Sequence, residues 1–157
     1  MAVSQTYKDA TIAIATGVGA PTVPDYQASD LDAAGFAALT WTTISKCGNV
    51  GNWQTTQNII SYDTVDVDTS QKQGGVKNAG DPNPEFAYDK SDNGQNAMVA
   101  AAQSPNYAAF RVTLATGDLI YSRGKVAGGE GFGGGGGVED FVVRQFQIGL
   151  VQTPVEV

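Results

Sequence analysis

The stretch FRVTLATGDLIYSRGKV, Phe110 to Val126, sets the architecture. Phe110, Val112 and Leu114 alternate with Arg111 and Thr113, Ala115-Thr116-Gly117-Asp118 supplies turn formers, and Leu119 to Val126 resumes in β-favouring residues. A period of two puts the apolar side chains on one face, and Gly-Asp lets the chain reverse, so the segment predicts a β-hairpin with one buried side.

The same logic holds downstream. Phe146, Ile148 and Leu150 occupy one face of a final strand, with Gln145, Gln147 and Gly149 on the other. Between these strands lies GGEGFGGGGG, residues 128–137. A phosphate cradle needs backbone N–H groups converging at the start of a helix that follows a buried strand. This run lacks a Gly-Lys-Ser/Thr ending, and Val138-Glu139-Asp140-Phe141-Val142-Val143 after it reads as a strand opening that would turn two carboxylates on a phosphate. Residues 127–137 are therefore expected to be a flexible connection at a hairpin tip.

Upstream, one stretch reads as helical, at about residues 92–103. Asp92 or Asn93 is an N-cap, Ala97, Met98, Val99, Ala100, Ala101 and Ala102 are helix-compatible, and Pro105 closes the segment. Its small alanines suit a lid packed closely on a sheet. Further strands are expected at residues 10–15 with Ile12 and Ile14, at 41–46, within 53–67 with Ile59, Ile60, Thr64, Val65 and Val67, and at 85–89 with Phe86 and Tyr88 on one face. Residues 16–34 carry Gly17, Gly19, Pro21 and Pro24, and 70–84 carry Gly74-Gly75 and Asp81-Pro82-Asn83-Pro84; both read as loops, and 47–52 as a turn. The expected fold is one domain over residues 1–157, mainly β, a sandwich or barrel with one short flanking helix and long loops. It comprises an N-terminal strand and arm at 1–34 and flexible loops at 70–84 and 127–137.

Composition narrows the chemistry. Sixteen acidic against nine basic residues give a formal charge of −7, the wrong sign for a protein that grips nucleic acid by its phosphates. The chain has no histidine, which removes Ser-His-Asp and Cys-His nucleophile systems and the usual zinc sites. The single cysteine, Cys47, reads as a packing residue in a protein assembled in a reducing cytoplasm. Asp63, Asp66 and Asp68 are spaced like part of a calcium loop, but the EF-hand glycine and closing glutamate are missing, so they read as solvated surface, the competing reading being a cation at a subunit junction. No enzyme, cofactor or metal site is expected. The N-terminus shows no cationic stretch before an apolar run, and no segment has the roughly twenty apolar residues of a membrane helix, so no export or membrane anchor is expected.

The order of elements resembles that of the major tail tube protein of long-tailed phages with flexible, non-contractile (siphovirus-type) tails. The matching pieces are the strand from Phe86 to Asp89, the Asp92-Asn93-Gly94-Gln95 turn, the alanine-rich helix to Gln103, Phe110-Arg111-Val112, Gly117-Asp118, and Tyr121-Ser122-Arg123-Gly124-Lys125-Val126. Trp41 to Cys47, Ile59-Ile60, Lys72-Gln73-Gly74-Gly75 and the closing Phe146-Gln147-Ile148 strand, which ends near Pro154, also fit. The likeness runs from about Leu39 to Pro154. The glycine run is longer than the family's usual connection, and the immunoglobulin-like C-terminal domain of some relatives is not expected.

The resemblance implies a structural virion protein whose copies close into stacked hexameric rings, forming a tube through which DNA passes during ejection without specific binding. Its implied partners are itself and the tape-measure and tail terminator proteins, without a membrane. Its implied location is the virion tail, after assembly in the host cytoplasm. Sheet alternation makes Arg111, Thr113, Gln145 and Gln147 candidates for the lumen face, an ordinary solvated face being the alternative. Loop residues Gly48, Asn49, Gly51, Asn52, Gly74, Gly75, Asp81 and Pro82 are candidates for ordering on assembly, and Gln95, Met98 and Val99 for a helix interface. Two other readings stand beside this one: a ring-forming tube protein of a secretion system, and a monomeric β-sandwich binding or capsid decoration module. The last would need a surface cluster such as Trp41 with Trp53, which otherwise read as core.

Overall fold

The computed structural model describes residues 6–16, 32–66 and 68–157, so most of the expected arm at 16–34 lies outside the described residues. The elements are β1 (Thr11–Ala15), α1 (Ala33–Ala37), β2 (Trp41–Ile44), β3 (Cys47–Asn49), β4 (Thr56–Tyr62), β5 (Gln71–Asn78), β6 (Glu85–Ala87), α2 (Asn93–Gln103), β7 (Ala108–Thr113), β8 (Leu119–Gly128), β9 (Val143–Leu150) and β10 (Val155–Glu156). The architecture is mainly β, a sandwich-like roll of antiparallel sheet with a flanking helix, as the sequence predicts.

The predicted hairpin is β7–β8, with register from Ala108↔Gly124 to Thr113↔Leu119. Its reversal is closed by Leu114 N–H to the Asp118 carbonyl at 2.9 Å, and Gly117 supplies the left-handed turn position at φ +94°. Strand order across the main sheet is β2-β1-β7-β8-β9-β6-β3, with β10 beside β8. The two end strands, β2 and β3, are separated in the chain only by Ser45 and Lys46. The sheet therefore rolls until its edges are joined through the chain itself.

Inside the roll lies the main core, with Ile12, Ile14, Ile44, Phe86, Phe110, Phe146 and Ile148 buried beneath Ala97, Met98 and Ala101 of α2. Helix α2 starts at the N-cap Asp92, whose carboxylate accepts from Gln95 N–H at 3.1 Å. Its far end is held by Lys125, whose ammonium donates to the carbonyls of Ala101 and Ala102 at 3.2 and 3.3 Å. Trp53 joins the core, its indole N–H donating to the Val50 carbonyl at 2.9 Å.

The opposite sheet face carries a second, smaller cluster of Ala15, Phe36, Ala109 and Tyr121, with Leu39 and Trp41 packed against it. Phe36 stacks on Tyr121 with ring centroids 5.3 Å apart. Phe36 comes from α1, a second helix where the sequence reading placed only one. Asp32 caps it, accepting from Gly35 N–H at 2.7 Å, but five residues are too few to leave a periodic signal.

Three further expectations are corrected. Residues 71–78 are not loop but strand β5, paired with β4 from Thr56↔Asn78 to Tyr62↔Gln71. Both strands of this ribbon face solvent, so neither needed the apolar alternation that betrays a half-buried strand. Residues 47–49 form β3, held by β6, rather than a turn. The strand after the glycine run, β9, opens at Val143 and not at Val138, because Asp140 N–H bonds to the Gly137 carbonyl at 3.1 Å and makes a turn first.

Candidate assembly interface

The feature that the roll does not account for is the β4–β5 ribbon. It forms a separate two-stranded sheet. Ile59, Ile60, Tyr62 and Val76 on it are 72%, 58%, 69% and 89% exposed, although burial is the normal fate of such side chains. The register shifts between Gln57 and Ile59, a bulge beside which the Gln57 side-chain amide donates to the Gly75 carbonyl at 2.8 Å. Gly74 lies under that amide, and a Cβ there would sit 2.4 Å from Gln57 Nε2. At about 3.4 Å per residue, the seven residues of β4 span about 20 Å.

The segment after β5 runs along β9. The carbonyls of Gly80, Pro82 and Pro84 each accept at 3.0 Å, from Leu150, Ile148 and Phe146 N–H respectively. Of the loop candidates, Gly74 and Gly75 lie within β5, Gly48, Asn49 and Asn52 are exposed around β3, and Asp81 is exposed. Pro82 is buried with its carbonyl engaged, and Gly51, at φ +90°, packs where a Cβ would be 3.2 Å from the Pro82 side chain. These two therefore serve the subunit's own packing.

Register puts all four lumen candidates on one sheet face, opposite the main core: Arg111 pairs with Tyr121, Thr113 with Leu119, Gln147 with Ala127, and Gln145 lies two residues along β9. The structure divides them by cover. Arg111 is half-buried with its guanidinium carbon 5.3 Å from the Trp41 ring centroid, whereas Gln145 and Gln147 are exposed beside Asn83 and Ala127.

The helix candidates Gln95, Met98 and Val99 all pack within the molecule. Gln95 and Met98 are fully buried and Val99 is half-buried. Gln95 Nε2 donates to the Ala87 carbonyl at 2.8 Å and to the Ser45 carbonyl at 3.4 Å, while its Oε1 accepts from Asp89 N–H at 3.1 Å. Asp92 also accepts from Ser45 N–H at 3.1 Å. One helix terminus thus ties the β2–β3 junction to the end of β6. Beside it Lys46 pairs with Asp89 at 3.1 Å, and hydrogen bonds from Ser91, then Lys46, hold the Asp89 carboxyl down at about 2.

Burial pushes the Cys47 thiol up, which leaves it a poor nucleophile. Asp63 accepts from the Ser70 hydroxyl, and among the described residues no three acidic or cysteine side chains gather as metal ligands. No helix among them is long and apolar enough to cross a membrane.

No protein-family model and no curated protein matches the chain. A solved structure does. The chain is similar in fold to one in the cryo-EM structure of the anti-feeding prophage (AFP) baseplate, 6-fold symmetrised, at a TM-score of 0.58 and 8% identity. The likeness covers 100% of this chain and 95% of that one.

Sequence reasoning found the sheet faces but missed the ribbon as a structural unit. The available signal was the pair Ile59-Ile60 followed, after a polar acidic tip, by β5 with Val76 among polar residues and glycines.

Proposed function

We propose that the protein is a structural subunit of a phage-type tail, whose copies close into six-membered rings that stack into a tube for DNA. The observation that carries this reading is the β4–β5 ribbon. It pairs with no other strand among the described residues and holds four large apolar side chains in solvent. Such a ribbon gains by laying its free edges and apolar side chains against another copy. The fold likeness to a chain of a six-fold baseplate supports the same direction. A formal charge of −7 and the uncharged Gln145 and Gln147 suit a channel that repels DNA or lets it slide. On this reading the partners are further copies and the proteins that set and end tube length, and the protein resides in the virion tail after assembly in the host cytoplasm.

A second reading is favoured by the particular neighbour: a ring at the baseplate end, in place of the tube shaft. Negative-stain electron microscopy of the purified protein at rising concentration tests both. Long hollow tubes support the shaft, and single rings that do not elongate support the baseplate position. A monomer that persists at the highest concentration overturns both.

A further inference from the structure

The glycine-rich connection is not wholly slack. Gly133 forms a two-way bridge with Val143, donating at 2.8 Å and accepting at 3.1 Å, which pins the loop back onto the start of β9. Gly129 lies against the Phe146 ring so closely that a Cβ would be 1.9 Å from it. Between these anchors the loop roofs a cavity of about 160 Å³, lined by Gly129, Glu130, Gly131, Phe132, Arg144 and Gln145 among others.

Arg144 is the unexplained member of that lining. Its side chain is only 7% exposed, and its Nε, buried, has no hydrogen-bond partner. Among the described residues no carboxylate forms an ion pair with the Arg144 guanidinium. Its guanidinium carbon is 4.6 Å from the Tyr88 ring centroid, and Tyr88 in turn meets Phe132 edge-on at 5.8 Å. The stack fixes the plane of the guanidinium but offers no acceptor to its N–H groups. A buried cation left this way carries a desolvation cost that a bound anion offsets.

We infer that this cavity is a carboxylate-binding site in which Arg144, oriented by Tyr88, pairs with a single carboxylate beneath the Gly129–Gly133 roof. A planar guanidinium matches a carboxylate through two parallel N–H···O bonds. A water takes about 30 Å³ of liquid volume, so the space admits a carboxylate and an ordered water or two. Glu130, which also lines the cavity and accepts from Gln103 Nε2 at 3.2 Å, repels a doubly charged phosphate more than a singly charged carboxylate. The carboxylate comes either from a free small acid or from an Asp or Glu of a neighbouring copy. The site itself does not depend on ring assembly.

The test is a titration of dilute protein with sodium acetate against sodium chloride at matched ionic strength, followed by amide NMR. Saturable shifts are expected at the amides of Gly129, Gly131 and Gly133 and at Arg144 Nε–H. Arg144→Lys keeps the charge but loses the planar fork, and is expected to bind acetate at least tenfold more weakly; Arg144→Gln abolishes the response. If a neighbouring copy supplies the carboxylate, the same signals also shift with protein concentration and acetate reverses them; with a free acid, concentration has no effect. No acetate response in wild-type protein that retains its melting transition overturns the site. So does a stronger response to inorganic phosphate, or an acetate response unchanged in folded Arg144 variants.

Discussion

The side-chain amide of Gln95, at the start of α2, donates to the carbonyl of Ala87 at the end of β6 across 2.8 Å, and the same side chain accepts from Asp89 N–H. A fully buried glutamine is expensive unless satisfied, and this one is satisfied by the chain segments that bring the rolled sheet's edges together. Gln95→Leu keeps the size but strands the Ala87 carbonyl and the Asp89 N–H. It is expected to lower stability by about 2–3 kcal/mol, read as a fall in the urea midpoint at unchanged slope.

Gly94 sets propensity against packing. Alanine is better than glycine inside a helix by about 1 kcal/mol, so an exposed site would gain from the change. Here a Cβ would lie 2.6 Å from Ile44 Cα and 2.7 Å from the Thr43 carbonyl oxygen, both backbone, so relief requires α2 to lift from β2. Gly94→Ala is expected to melt below wild type, corresponding to a net loss of about 1–3 kcal/mol. A higher melting temperature would show that close helix-to-strand contact does not govern the position.

The pH dependence of stability has a definite sign at Asp89. Its folded-state value is lowered from 3.8 to about 2, first by Ser91 and then by Lys46. A depressed carboxyl stabilises the fold above its unfolded value, and that contribution is lost as pH falls from about 3.8 to about 2. Asp89→Asn is expected to remove this part of the acid limb and leave the rest of the profile unchanged, measured as melting temperature from pH 5 to pH 2. An identical acid limb in the variant would mean that Ser91 and Lys46 hold the carboxylate no better than water does.

How much of this was readable from the sequence follows from which forces each element answers to. β7, β8 and β9 bury one face, so Phe110, Val112, Phe146 and Ile148 advertise them by alternation. Helix α2 shows its cap and alanines because those are local. Gln95 was visible as part of a turn motif, but its role was not, since its partners at Ala87 and Ser45 are distant along the chain or join only through the fold. Arg144 gives no signal in the sequence for the same reason. Its context is Tyr88 and Phe132, brought together by a glycine loop whose own pattern carries no hydrophobic period. The ribbon is not legible in the sequence because its stabilisation within the subunit is a backbone ladder, which leaves no mark on side-chain choice.

Folding and assembly separate at the ribbon, which therefore offers the sharpest test of function. Ile59, Ile60 and Val76 contribute almost nothing to the isolated subunit's core, being 72%, 58% and 89% exposed. Ile59→Ser, Ile60→Ser and Val76→Ser combined should therefore leave the melting transition nearly unchanged, because surface substitutions usually fall within about 0.5 kcal/mol each. If the ribbon is the surface by which copies join, the same variant remains monomeric at concentrations where the wild type forms rings or tubes, as read by sedimentation velocity and electron microscopy. A variant that assembles like the wild type would place the contacts elsewhere, such as on the exposed Gln145 and Gln147 face.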